Sequence, residues 1–258
     1  MSVAFARRAF ECYVYNYRRT WRGSVLSTFA MPLIYLGAMG LGVGALIDDP
    51  ATNRALGGSY LQFLAPGLLA AAVVTMVFGE CTWPVISQVK WDKSFYAMLA
   101  TPLRPFDIVL GNIAFVGVRA GITSVAFFVA MTAFGVVHTP WALLTVPVGV
   151  LTGLALATPV YAFAIRRQNE ASFSLLFRLG SIPLFLFSGT FFPVSALPVV
   201  IQPVAYASPL WHGVDLCRAL MAAAPASWPA LLHVGYLLLW LGTGLVLAIG
   251  GFTKRMVV

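Results

Sequence analysis

The sequence predicts an all-α membrane protein that crosses the bilayer several times. Of its 258 residues, 60% are hydrophobic and only 9% are charged, whereas soluble proteins have roughly 45–50% apolar and about 25% charged residues. Sixteen basic and eight acidic side chains are too few to cover the surface of a soluble chain of this length. The charges are also separated by apolar runs of about 20 residues, the length that a helix needs to cross a bilayer core of about 30 Å.

Six apolar stretches are predicted to be membrane-spanning helices. They are residues 25–47, 60–79, 108–137, 141–165, 173–192 and 231–252. The fifth is the weakest, because Arg178 lies near its start, although a long arginine side chain can extend to the membrane surface. We therefore expect a single domain over residues 1–258, in which residues 25–252 form a six-helix membrane domain.

The basic residues predict the orientation of these spans. An even number of spans places both termini on the same side, and cytoplasmic loops of membrane proteins carry an excess of Lys and Arg. With cytoplasmic termini, most of the 16 basic residues lie inside, and only Arg54 and Arg218 lie outside. Omitting the fifth span would move Lys254 and Arg255 outside. The prediction is a multi-pass protein of the cytoplasmic (inner) membrane with both termini in the cytoplasm.

Residues 1–24 are predicted to contain an amphipathic helix that lies in the membrane surface. Between residues 5 and 22, aromatic side chains recur at three- and four-residue steps and arginines fill much of the remainder. Aromatic and arginine side chains in this pattern suit the headgroup layer. The pattern leaves open whether this helix is only an anchor or also relays motion.

Residues 193–229 are too apolar for a solvated loop, yet Pro198, Pro203 and Pro209 interrupt any continuous helix there. Irregular backbone cannot face lipid, so we expect a pair of re-entrant half-helices on the outer face, between the fifth and sixth spans. Asp215 and Arg218, three residues apart on one such helix, are candidates for an ion pair.

Motifs for catalysis, metal binding or nucleotide binding are absent from the sequence. The acidic residues are scattered, the three histidines are isolated in sequence, and there is no GxxxxGK[ST] loop. The basic residues do not cluster as they would in a nucleic-acid-binding face. We therefore expect no catalytic residue, no metal site, no nucleic-acid partner and no cofactor bound by this chain.

Arg119 is the ionisable residue that lies clearly within a predicted span. Its insertion would cost on the order of 2.5–3.5 kcal/mol, so its side chain should face protein or water. Glu80 closes the second span and can reach Arg119 only if that helix continues inward or a water bridges the two. A lone arginine provides no proton relay, but an ion-coupled secondary transporter or channel remains the alternative function.

The second cytoplasmic connection, residues 85–106, contains the amphipathic segment VKWDKSFYAMLATPLRP. Trp91, Phe95 and Leu99 recur at helical spacing, and the Thr101-Pro102 and Arg104-Pro105 steps end the helix. Two interpretations fit this pattern equally: a second interfacial anchor, or a projection that docks into a groove of a soluble partner.

Five stretches, in order along the chain, resemble the ABC-2 type permeases, in the branch that includes the nodulation-factor exporter and the daunorubicin-resistance permeases. They are YLQFLAPGLLA (60–70), LATPL (99–103), DIVLGN (107–112), FLFSGTFFPVSALP (185–198) and ASPLWHGVDLCRAL (207–220). Together with the spacing of the six spans, the resemblance covers nearly the whole chain.

The resemblance implies an exporter built from two permease halves, with this chain pairing with a second copy or with a related permease. It also implies a separate ABC ATP-binding subunit that binds ATP and Mg and docks on a coupling helix at about residues 90–101. The residues expected to contact that subunit are Trp91, Asp92, Lys93, Phe95, Tyr96, Leu99 and Arg104. The aromatic content of 14% favours an amphiphilic, lipid-linked or drug-like cargo that moves outward, with membrane lipid as a further partner.

Overall fold

The computed structural model describes residues 3–47, 49–56 and 58–257, and these residues form helices and connecting turns without a β-strand. The α-helices are α1 (Val3–Gly37), α2 (Ala45–Ile47), α3 (Pro50–Leu56), α4 (Tyr60–Glu80), α5 (Trp83–Lys90), α6 (Ser94–Leu99), α7 (Pro105–Ala133), α8 (Thr145–Ile165), α9 (Ala171–Leu176), α10 (Ile182–Phe187), α11 (Gln202–Tyr206), α12 (Pro209–Ala222) and α13 (Ala230–Met256). The other helical elements of these residues are two π-helical segments (Ala38–Gly44 and Phe177–Ser181) and two 3-10 turns (Pro140–Leu144 and Val194–Ala196).

Within the described residues, five helical stretches are long and apolar enough to cross a membrane. They are Phe5–Ile47, Tyr60–Lys90, Pro105–Ala133, Pro140–Ile165 and Ala230–Met256. Four of them contain a predicted span, and the fifth, Pro105–Ala133, covers the predicted span 108–137 up to residue 133. This confirms the expectation of an all-α protein with several membrane helices.

The first stretch differs from the prediction of a surface helix followed by a separate span. Helix α1 runs from Val3 to Gly37 without interruption and continues through the π-helical segment. Gly23 and Ser24, at the boundary between the two predicted segments, are helical, and Ser24 uses its side chain to accept a hydrogen bond from Arg119. The change from amphipathic to apolar character therefore occurs within one helix, which packs along α7.

The predicted fifth span forms a shorter and less regular helix. Residues Ala171–Phe187 are apolar and helical, but the π-helical turn Phe177–Ser181 divides them into α9 and α10. At about 1.5 Å per residue, this stretch is about 26 Å long, at the lower limit for crossing a bilayer core.

The outer segment that was predicted to be re-entrant contains two helices, α11 and α12, preceded by a 3-10 turn. Ser208 begins α12 as its N-cap, with its hydroxyl accepting a hydrogen bond from the Trp211 amide at 3.4 Å. Helix α12 packs on α4, α8 and α13, so it belongs to the helix bundle rather than to a solvated loop.

Helix α8 lies at the centre of the bundle, in contact with α4, α7, α12 and α13. Two glycines allow close approaches between helices. A Cβ atom at Gly111 on α7 would lie 2.7 Å from the Ala9 Cβ of α1, and one at Gly244 on α13 would lie 2.7 Å from the Pro159 Cδ of α8. Helices α1 and α13 are therefore held against the bundle at backbone distance.

Candidate functional site

Arg119 forms a polar cluster with side chains from two other helices. From the middle of α7, its Nη2 lies 2.9 Å and its Nε 3.2 Å from the Glu80 Oε1 at the end of α4. Its Nη1 donates to the Tyr17 hydroxyl at 2.5 Å and to the Ser24 hydroxyl, both on α1. The guanidinium also lies over the Tyr17 ring, 4.6 Å from its centroid. We call Arg119, Glu80, Tyr17 and Ser24 the Arg119 cluster.

Local sequence explains how each member reaches this point. Tyr17 and Ser24 are seven residues apart, about two helical turns, so both lie on the same face of α1. Glu80 is the last residue of α4, and the chain turns at Cys81 and Thr82 before α5 begins. The Arg119 and Glu80 side chains are only 11% and 25% exposed, so a charge in a predicted span is compensated by an opposite charge and by hydroxyl groups.

Two cavities meet at this cluster. The first, of about 690 Å³, is lined mainly by apolar side chains of α1, α4, α7 and the α9–α10 region, such as Met31, Leu68, Phe127 and Phe185. We call it the apolar cavity. Because Glu80, Pro84 and Arg119 line both cavities, these residues form the wall between them.

The second cavity, of about 610 Å³, is lined mainly by amide and hydroxyl side chains of α1, α5, α6 and α7, such as Asn16, Thr20, Gln88 and Asn112. We call it the polar cavity. The side-chain oxygens of Gln88 and Asn112 are buried without a hydrogen-bond partner among the described residues. Buried acceptors are normally satisfied, so these two oxygens are exceptions among the side chains that line the polar cavity.

The predicted docking segment, residues 90–101, is not one helix: it starts at the last residue of α5, passes through a tight turn and continues as α6. The Trp91 and Asp92 amides both donate to the Ser87 carbonyl at 2.9 Å, and the Ser87 hydroxyl bonds the Asp92 carboxylate. Lys93 then adopts a left-handed conformation with φ of 51° and begins α6. The helix is interrupted here, and the two predicted anchors differ in burial: Trp91 is exposed, whereas Phe95 is buried.

Phe95 is fully buried and contacts Phe252 of α13 edge to face, with ring centroids 5.0 Å apart. Leu99 is partly buried against the same core. Both residues therefore attach α6 to the protein's own bundle.

The remaining docking-segment residues lie on the surface. Trp91 is 58% and Tyr96 49% exposed, and the side chains of Asp92, Lys93 and Arg104 are also exposed. The Arg104 amide donates to the Asp107 carboxylate at 3.1 Å, which starts α7. These exposed aromatic and charged side chains therefore belong to a segment whose buried residues pack into the helix bundle.

Asp215 and Arg218 of α12 bond to other partners rather than to each other. Arg218 donates to the carbonyl oxygens of Phe63 and Thr190, both at 3.0 Å, and lies 3.7 Å over the Phe63 ring. Asp215 accepts from the Ser227 amide and hydroxyl at 2.8 and 2.7 Å. Both residues lie on one helix, α12, as predicted. Each of them, however, links α12 to a different neighbouring segment.

Sequence reasoning missed two groups of contacts. The histidines were treated as isolated, yet the Nδ1 atoms of His212 and His233 lie 2.8 Å apart, and His233 Nε2 lies 3.3 Å from Asp215. Tyr17 and Ser24 were counted only as parts of a surface helix and span. Their spacing of seven residues was the one available signal that they share a face.

Comparison with known proteins agrees with the motifs. The model of the family described as "ABC-2 type transporter" matches residues 7–222. Two relatives named "Nodulation protein J", from Rhizobium leguminosarum bv. trifolii and Rhizobium meliloti (strain 1021), are 34% and 31% identical over 84% and 82% of this chain and 81% and 77% of their own lengths. The "Inner membrane transport permease YadH" of Escherichia coli (strain K12) is 23% identical over 86% of this chain and 73% of its own.

The family match covers most of the chain and confirms the resemblance stated from the five stretches. Members of this family are the membrane subunits of transporters, and the long apolar helices identify an integral, multi-pass membrane protein. The chain belongs to the ABC-2 type transporter family.

Proposed function

We propose that this chain is the transmembrane subunit of an ATP-binding-cassette exporter, a single domain over residues 1–258 in the cytoplasmic (inner) membrane. ATP and Mg bind to a separate ATP-binding subunit, and this chain itself binds no cofactor. Family membership supports the role of a permease. The observation that carries the energy-coupling part is the exposed aromatic surface of Trp91 and Tyr96 on a segment anchored by Phe95.

In this proposal the chain has six spans, with Ala171–Phe187 as the fifth. Leu175, Leu179 and Ile182 on this stretch are exposed, as lipid-facing or partner-facing side chains would be. The basic residues that follow α8 and end α13 then lie in the cytoplasm together with both termini. Helices α11 and α12 form the re-entrant pair on the outer face.

The docking surface proposed for the ATP-binding subunit consists of Trp91, Asp92, Lys93, Tyr96 and Arg104. Large aromatic side chains provide much of the binding energy at interfaces, and the surrounding charges set orientation. Phe95 and Leu99 hold this surface in place from the side of the bundle. Closure of the ATP-binding subunits would therefore push on a firmly attached segment.

The two cavities support an amphiphilic cargo. The polar cavity is lined mainly by amide and hydroxyl side chains that suit the polar part of such a molecule, and the apolar cavity by hydrocarbon and aromatic side chains that suit its apolar part. A second copy or a related permease completes the pathway against the poorly buried face of α1, and membrane lipid surrounds the pair.

The test replaces Trp91 by Ala. The matched control is Trp141→Ala, because Trp141 is 62% exposed and lies before α8, on the outer side in the proposed topology. We expect W91A to reduce the amount of ATP-binding subunit that co-purifies with the permease by at least about tenfold, the effect of losing roughly 1.4 kcal/mol of binding free energy. W141A should leave it unchanged. Equal co-purification in both variants would place the docking surface elsewhere.

An ion-coupled carrier is the second candidate function, and the Arg119–Glu80 pair is the observation that favours it. Ionisable pairs within membrane segments often mark ion pathways. The purified chain in liposomes, supplied with an ion gradient and with no ATP-binding subunit, distinguishes the two. Uptake of an amphiphilic probe under these conditions would support the carrier.

A further inference from the structure

The Arg119–Glu80 pair occupies the boundary between the two cavities. Glu80 and Arg119 line both the polar and the apolar cavity, together with Pro84. The ion pair between them, at 2.9 Å, therefore lies where the two cavities adjoin. Any polar group that passes between the cavities has to separate these two side chains or move around them.

The two partners of the ion pair are held very differently. Arg119 keeps hydrogen bonds to Tyr17 and Ser24 of α1 in addition to its contact with Glu80. Among the hydrogen bonds and ion pairs of the described residues, the Glu80 carboxylate contacts only Arg119. If the contact between Glu80 and Arg119 breaks, Glu80 is therefore the residue that moves away. Arg119 keeps its hydrogen bonds to the two hydroxyl groups of α1.

Glu80 is also the side that is joined to the proposed docking segment. It ends α4, and only Cys81 and Thr82 separate it from α5. Helix α5 leads directly to the Ser87–Asp92 turn and to Trp91. A force applied to the exposed Trp91 surface therefore reaches the Glu80 carboxylate through a single helix of eight residues.

We propose that the Glu80–Arg119 pair is a latch that closes the passage between the polar and apolar cavities and that movement of α5 opens it. This inference rests on the proposed export function and assigns its gating step. In the closed state, two N–H groups of Arg119 converge on one carboxylate oxygen, a charge-assisted arrangement that is stronger than a neutral hydrogen bond. In the open state, Glu80 withdraws with α5 and the cargo crosses beside Arg119.

The experiment measures access to the apolar cavity by cysteine labelling. Thr75 lines only the apolar cavity, where its hydroxyl bonds to its own helix at Ala71, so Thr75→Cys is a mild change. Thr20→Cys, in the polar cavity, reports that the reagent has entered. The exposed Cys12 is replaced by Ser in both. An impermeant, cationic methanethiosulfonate reagent is added to inside-out membrane vesicles, and the labelling rates of the T75C and T20C proteins are compared.

Glu80→Gln should increase the labelling rate of T75C by roughly tenfold or more, which corresponds to about 1.4 kcal/mol in the opening equilibrium, while the labelling rate of T20C stays the same. The control is Glu11→Gln, which breaks the Arg7–Glu11 pair. That pair has a similar contact distance, 2.8 Å, but its side chains are 77% and 55% exposed, so the variant should change neither rate.

A second variant covers the case in which E80Q is poorly produced. The charge-swapped E80R/R119E protein keeps an opposite-charge pair, and its carboxylate at position 119 accepts from the hydroxyls of Tyr17 and Ser24. It should restore slow labelling of T75C. Equal T75C labelling rates in the parent, E80Q and charge-swapped backgrounds would overturn the latch.

Failure of the latch and failure of the proposed function give different results. The labelling needs neither ATP nor cargo, so unchanged T75C labelling rates refute the latch and leave the W91A test of docking intact. If T20C reacts from the outer side of right-side-out vesicles instead of the cytoplasmic side, the proposed orientation is wrong, whatever Glu80 does.

Discussion

Replacing Phe95 by Ala tests whether the docking segment is anchored from within the bundle. Phe95 is fully buried and its ring lies 5.0 Å from that of Phe252. Truncation of a buried Phe to Ala destabilises a protein by about 3–5 kcal/mol through lost burial and a residual cavity. Tyr96→Ala, one residue away and 49% exposed, should change stability by no more than about 0.5 kcal/mol.

The assay is denaturant unfolding of the purified permease in mixed detergent micelles, with the free energy of unfolding extrapolated to zero denaturant. We expect a large loss of unfolding free energy for F95A and almost none for Y96A. Relative to the stability that each variant loses, Y96A should weaken binding of the ATP-binding subunit more than F95A does. A double-mutant cycle with Phe252→Ala should give a coupling of about 0.5–1.5 kcal/mol, as for other aromatic pairs. A stability loss below about 1 kcal/mol for F95A would refute the inward placement of this side chain.

Two further substitutions test the helices that carry the Arg119 cluster and the central packing. Ser59→Ala removes the N-cap of α4, where the Ser59 hydroxyl accepts from the Gln62 amide at 3.3 Å, and should lower the free energy of unfolding by about 1 kcal/mol. Gly244→Ala places a methyl group 2.7 Å from the Pro159 Cδ and should lower it by about 1–3 kcal/mol. Gly242→Ala, with nothing within 4 Å of the added Cβ, is its control, and equal stability of the two alanine variants would contradict the close contact of α8 and α13.

The positions of the five long membrane helices were largely predictable, because they follow from apolar length and from the charges that bound each run. The second span was expected at residues 60–79 and α4 is Tyr60–Glu80. The last was expected at 231–252, and α13 is Ala230–Met256, closed by Lys254 and Arg255. Apolar runs of this length form membrane helices because they prefer lipid to water. Packing against the rest of the protein therefore changes little more than the residues at which each helix begins and ends.

The continuity of α1 was not predictable in this way. A helix can change from amphipathic to apolar without a break, and residues 22–25 contain no proline that would force one. The π-helical turn at Phe177–Ser181 was not predictable either. The apolar composition of residues 171–187 is compatible with a regular α-helix and with a π-helical turn. Hydropathy predicts which residues can form a membrane helix. It does not predict where the backbone hydrogen bonds change from the α-helical to the π-helical pattern.

The candidate site was predictable only in part, because its contacts are distant in sequence. Glu80 and Arg119 are 39 residues apart, and their contact depends on α4 ending beside the middle of α7. The orientation of Phe95 depends on one backbone conformation, the left-handed Lys93. Periodicity assigned Trp91 and Phe95 to one face of a continuous helix, but the helix is interrupted between them, and only Phe95 is buried.

Site-specific photo-crosslinking from position 96 tests the central claim, that energy enters through the docking segment from a separate ATP-binding subunit. A photoreactive residue at position 96 replaces a side chain that is already exposed, and the same residue at position 141 serves as the matched control. The account predicts an adduct with an ABC ATP-binding subunit, identified by mass spectrometry, from position 96 and none from position 141. An assembled transporter that gives the ATP-binding subunit from position 141, or only lipid from position 96, would contradict it.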